Sequence, residues 1–413
     1  MEKHSSSLLQ QKYDFKSEIL DIIVSGTSAI DSLTAFQVKD LEEADLFIRS
    51  YGYDLDNPIE RAEVHGNFHE ALNFIRKYFL YPENPDGLKL EIPRKIIELA
   101  DIRDLLLMVG LNYPGQGTDH HGQQQQQWAC SILKVMHTIG HIDKDVRSSY
   151  FADIQKQIFD RFYKMIHRDS EGDLFLGDGL KDPLKISLSA FETKPKKSRA
   201  SIVLKLLHKP GNVAEDIFDR VGIRFVTQDP IECLRIVKYL KDKMIIMPPN
   251  IKPSRSRNTL VNIESLRLVL EKYLGLAEQK EISEETLRSK LEHAFIPQQG
   301  DKENPHTSEH YRSLQFTCRQ LIKLQNPLYT DIKDLKTVAK SSQISDDVHK
   351  AIDRIDLKHI QREIRFFYPY EVQIVDKRSA EENEKGKSAH SEYKRAQIQT
   401  ALKRVMGNLA NVV

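Results

Sequence analysis

Apolar positions recur at three- and four-residue steps through the first part of the chain, from about Ser28 to Ile166. Phe68, Leu72, Ile75 and Phe79 form one such stripe, which predicts a helix burying a single face. Pro93, suited to the first turn of a helix, opens another that carries Ile96, Leu99, Leu106 and Val109. A third helix is expected over Trp128–Ile142, with 51–53, 81–87 and 114–117 as loops. Further along the period shortens. Ile223–Val226 is a brief apolar run, and Val372 and Ile374 alternate with Glu371 and Gln373 in a strand pattern that projects polar groups from one face. Helical spacing returns at Ala389, Tyr393 and Ala396 and continues through Leu402, Val405 and Leu409. The stretch 168–182, rich in Gly and Asp, reads as the boundary between a helical domain (1–180) and a second domain (181–413).

Composition narrows the picture in two ways. Lysines and arginines (61) balance acids (60), so net charge points to no nucleic-acid or membrane partner. Cys130, Cys233 and Cys318 lie in apolar patterns without a CxxC spacing, which predicts reduced thiols rather than a disulfide framework or zinc knuckle. The first residues carry no apolar core of signal-peptide length, and no stretch approaches a membrane span. A soluble cytoplasmic protein is expected.

Several clusters invite a chemical reading. His137 and His141 stand four apart on an expected helix, a spacing that could offer two metal ligands, but packing or capping is the better reading. The glutamine run 123–127 beside His120 and His121 reads as a solvated loop or helix start. The acids of 168–182 lack the terminal Glu of a calcium loop. Lys252, Arg255 and Arg257 make a basic turn, and charged helical segments are expected near 283–294 and over 346–365.

Four motifs then occur in order. KPKKSRASIVLK holds Lys197, Ser201 and Lys205. Asp219-Arg-Val-Gly-Ile-Arg224 leads into the apolar run. Tyr311-Arg-Ser-Leu-Gln315 follows. Glu371-Val-Gln373-Ile is joined to Glu384-x-Gly-x-x-Ala-His390-x-x-Tyr-Lys394. The set resembles the synthetase domain of the RelA/SpoT nucleotide pyrophosphokinases over roughly 194–394. The resemblance implies an α+β fold, a mixed β-sheet of nucleotidyltransferase type, preceded here by an all-α domain. It implies Mg²⁺ held by Asp219 and Glu371, with Arg224 in the catalytic set. Lys197, Ser201, Lys205, Gln373, His390 and Lys394 would bind nucleotide, and Tyr311 would stack on the acceptor base. The implied partners are ATP and GDP or GTP, giving the alarmones ppGpp or pppGpp. Toxin-like relatives modify the 3′ end of tRNA instead.

The chain departs from the family pattern at four places. Pro195 stands where an Arg is usual, His310 replaces Gly, Gln315 replaces His, and Val375-Asp376 replaces Arg-Thr. The His-Asp dipeptide of the family's hydrolase domain is absent, so no hydrolase is expected. Two other classes stay open: a nucleotide-binding regulatory module without catalysis, and an interaction module built on the helical half.

Overall fold

The computed structural model describes residues 38–194, 197–209, 220–295, 312–341, 344–385 and 390–411. They divide into two compact units. One gathers the described residues up to Ser149 with 197–209 and 390–411; the other holds 150–194 and 220–385. The division falls earlier than the Gly/Asp-rich stretch, and two later segments join the helical unit.

In the helical unit the stripe is buried as its spacing requires. The helix Pro58–Phe79 starts after an Asn57 cap and buries Phe68, Leu72, Ile75 and Phe79. The helix expected from Pro93 is instead two pieces. A single turn, Arg94–Ile97, ends, and Ile102–Val109 begins anew because the Asp101 side chain accepts from the Arg103 backbone N–H at 2.9 Å. The helix His120–Asp143 takes in the whole glutamine run: Gln125 is buried against His121, and Gln126 Nε2 donates to the Val109 carbonyl at 2.7 Å. The helices Arg199–His208 and His390–Met406 complete the core with Leu207, Leu402 and Val405. Ser131 Oγ donates to the Val405 carbonyl at 3.0 Å, and Arg404 Nη1 to the Leu207 carbonyl at 2.6 Å.

The second unit is built on a mixed sheet of seven described strands: β1 Ile166–Arg168, β2 Leu174–Leu176, β3 Ile186–Thr193, β4 Gly222–Thr227, β5 Arg257–Asn258, β6 Leu314–Gln325 and β7 Glu363–Asp376. Their order is β1-β2-β3-β4-β7-β6-β5, and only β4 and β7 run parallel. The architecture is α+β. The stretch 168–182 is no linker, since its apolar Leu174 and Leu176 pair back onto β1 around a turn in which Asp169 Oδ1 accepts from Asp173 N–H at 2.9 Å. Nor does 346–365 stay helical. The helix Asp346–Asp353 ends, and the alternation of Ile364, Phe366 and Tyr368 draws the chain into β7.

One face of the central strands is apolar. Ile223 and Phe225 of β4, Val372 and Ile374 of β7, and Phe316 and Cys318 of β6 pack with residues of the helices Phe151–Tyr163 and Pro230–Asp242. Strand alternation sends Gly222, Arg224, Glu371, Gln373, Gln315 and Thr317 to the other face.

The thiols give a direct check on this packing. None of the three is in a disulfide; Cys233 and Cys318 are buried, whereas Cys130 is half-buried. Burial pushes the Cys233 thiol up to about 12. A thiol reagent is therefore expected to label at most Cys130 in the native protein and all three after denaturation. Fast native labelling of Cys233 or Cys318 would contradict the core described.

Candidate functional site

The polar face is assembled by register. β4 and β7 lie side by side so that Gly222 faces Glu371 and Arg224 faces Gln373. On the other side of β7, β6 sets Gln315 opposite Gln373 and Thr317 opposite Glu371. β3 adds Glu192 opposite Arg224. Three motifs separated by some hundred and fifty residues of chain thus meet on adjacent strands.

Glu371 is the centre of this face. It is 8% exposed, yet both carboxylate oxygens are engaged. Lys194 Nζ donates to Oε2 at 2.5 Å, and Gln315 Nε2 donates to Oε1. A buried carboxylate without such donors would carry a heavy desolvation cost, so this pairing is what allows Glu371 to sit here. Arg224 reaches Glu192 Oε2 at 3.4 Å, a looser pair on a half-exposed acid. Gln373, 5% exposed, lies between Arg224 and Gln315 in the ladder.

Gly222 leaves the space that the Lys194 side chain fills. The Lys194 backbone N–H donates to the Gly222 carbonyl at 2.8 Å, and the lysine side chain then crosses β4 towards Glu371. A Cβ on residue 222 would lie 2.5 Å from Lys194 Cδ and 3.0 Å from Cγ. The glycine of the Asp-x-x-Gly-x-Arg motif is therefore the channel through which a neighbouring strand's cation reaches the acid.

The other expected site residues fall elsewhere. Asp219 and Tyr311 lie outside the described residues. Lys197, Ser201 and Lys205 belong to the helical unit, where Ser201 sits in the first turn of Arg199–His208 and its N–H bonds the cap Ser198 Oγ at 3.3 Å. His390 opens the helix His390–Met406 of that unit, and Lys394, on the same helix, is exposed. Lys194 and Gln315 are the partners that the motifs alone do not reveal. A signal existed for Lys194: it stands two residues beyond Glu192, so alternation places both on one face.

In the helical unit, the His137 and His141 rings meet at a tilt with centroids 4.4 Å apart. His137 is lowered to about 4, chiefly by desolvation and then by His141, although its own surface stays partly exposed. Its Nδ1 shares a hydrogen bond with the Tyr51 hydroxyl, and burial pushes that phenol up to about 12. Among the described residues no three His, Cys, Asp or Glu side chains gather closely enough to hold a metal ion. No helix among them is long and apolar enough to cross a membrane. Comparison with known proteins finds no matching family model and no matching curated protein.

Proposed function

We propose that this chain is a Mg²⁺-dependent pyrophosphokinase that moves the pyrophosphoryl group of ATP to the 3′-hydroxyl of a nucleotide, with GDP or GTP as the first acceptor to test. The observation that supports it best is the convergence of the Glu371, Arg224 and Gln315 strands on one polar face. In the proposed reaction the acceptor 3′-oxygen bonds to the β-phosphorus and its proton leaves to a base. The bond from the β-phosphorus to the α–β bridging oxygen breaks, and AMP departs with that oxygen. Such transfers are driven mainly by positioning and charge neutralisation. Arg224 would face the transferring group, and Gln373, opposite it on β7, would contact nucleotide.

Glu371 fits a Mg²⁺ ligand in kind: it is a hard oxygen donor, shielded from water, with a cation already drawn to it in the Lys194 ammonium. Asp219 would be its partner. A bound Mg²⁺ would neutralise phosphate charge and orient the reacting oxygens.

The same ion pair favours a second reading. A carboxylate with both oxygens occupied suits a nucleotide-binding module without catalysis, and the departures at Pro195 and Val375 point the same way. The two are separated by offering the protein Mg²⁺ and ATP labelled in its β and γ phosphates with GDP, GTP or tRNA. Label on one acceptor with equimolar AMP is the expected result, and it names the substrate. Nucleotide binding without transfer to any acceptor selects the regulatory module.

A further inference from the structure

β6 and β7 continue past Glu371 as a two-stranded ladder. Register sets Arg319 opposite Pro369, Leu321 opposite Phe367, Lys323 opposite Arg365 and Gln325 opposite Glu363. Alternation places all of them on the face that carries Gln315, Thr317 and Glu371, while Ile322, Leu324 and Tyr368 point into the core. Phe367 is 50% exposed and Leu321 40%, side by side, and the flanking Arg319, Lys323 and Arg365 are exposed as well.

This face carries more positive charge than folding asks for. Lys323 and Arg365 are like charges directly opposite each other, an arrangement that weakens a sheet. Arg365 pairs with Glu363 at 2.7 Å; that bond first, with the charges of Lys323 and Arg362 adding, holds the Glu363 carboxyl below its usual range. Residues 319–325 and 362–369 contain four cations and one acid, although charge over the whole chain balances. The result is a local positive strip around an exposed ring, and the Arg319 guanidinium lies 5.9 Å from the centre of that ring.

A flexible polyanion with flat apolar faces complements both features. We propose that the exposed face of the β6–β7 ladder binds single-stranded nucleic acid, with a base stacked on Phe367 beside Leu321 and backbone phosphates on Arg319, Lys323 and Arg365. From Arg319 to Lys323 the ladder runs about 13 Å, the length of about four stacked nucleotides. A duplex keeps its base faces inside its own stack and fits less well. The surface goes beyond the pyrophosphokinase and holds whether or not the chain transfers a pyrophosphoryl group.

The test is the fluorescence anisotropy of short labelled oligo(U) and oligo(dT) strands with the full chain, repeated across a salt series. Both strands are expected to bind, because neither contact reads the sugar. Phe367→Leu keeps an apolar side chain and removes the ring; it is expected to weaken binding about tenfold. Lys323→Gln with Arg365→Gln is expected to weaken binding and to lower the slope of log affinity against log salt by about 1.4, the loss of two phosphate contacts. Lys333→Gln with Lys340→Gln removes the same charge from the helix Pro327–Ser341 and is expected to change neither value. All five positions are exposed, and circular dichroism of each variant confirms the fold. No binding by the wild-type chain, wild-type affinity in Phe367→Leu, equal losses in the two double variants, or tighter binding of a duplex of the same length overturns the proposal. So does binding to phosphatidylserine vesicles in place of the oligonucleotides, which would make the face a lipid contact.

Discussion

On the proposed pyrophosphokinase reading, Glu371→Gln is expected to lower pyrophosphoryl transfer on the order of a thousandfold, about 4 kcal/mol of transition-state stabilisation, while leaving the protein folded. Glutamine has the shape of glutamate and can still accept from Gln315, so the ladder around residue 371 need not move. The substitution removes the negative charge that would hold a metal ion, and with it the means of gathering phosphate charge at the β4–β7 seam. Lys194 loses the Glu371 charge, but a third of its side chain already faces water, so the change leaves no bare charge buried. Transfer rates at saturating Mg²⁺, measured beside a thermal melt, decide the matter. A variant within tenfold of the wild-type rate would show that chemistry, if present, occurs elsewhere.

Phe225→Ala is expected to be the most damaging change for the fold itself. Phe225 is fully buried on β4, with the Phe191 ring centroid at 5.1 Å and that of Phe162 at 6.2 Å. Truncating a buried aromatic costs about 3–5 kcal/mol, and each lost ring pair adds about 0.5–1.5 kcal/mol. A domain holds only about 5–15 kcal/mol in all, so the loss consumes a large share. It also loosens the strand that carries Arg224 on its opposite face, so activity should fall with stability. Urea denaturation followed by far-ultraviolet circular dichroism provides the number. A difference under about 1 kcal/mol would mean that this face is not packed as described.

The elements that the sequence reveals are those whose burial is local and one-sided. Phe68, Leu72, Ile75 and Phe79 share a helix face, and Val372 and Ile374 share a strand face, so simple periodicity finds both. Charge hides the rest. In 363–368 the alternation of Ile364, Phe366 and Tyr368 is diluted by Arg365 and the neighbouring Arg362, and the stretch reads as an extension of the helix before it. The glutamines of 123–127 look solvated because nothing in the sequence shows that Val109 offers its carbonyl to one of them. For the site, motif spacing finds Glu371, Arg224 and Gly222, but not why the glycine is there. That reason is a lysine on the next strand, and strand adjacency is not written in spacing. The membership of the helical unit is hidden for the same cause, resting on contacts such as Arg404 to Leu207 across nearly two hundred residues.

The parallel pairing of β4 with β7 also sets when the protein can fold during its synthesis. β4 is complete by Thr227, yet its neighbour β7 begins only at Glu363, so the middle of the sheet must wait through the intervening chain. The helical unit waits longer still, since Leu402 and Val405 fill its core from a helix that ends at Met406. Contacts so distant in sequence close slowly, and apolar faces stay uncovered until they do. A ribosome carrying the first two thirds of this chain therefore displays two unfinished cores at once, which makes the nascent protein a natural client for chaperones that shield apolar segments.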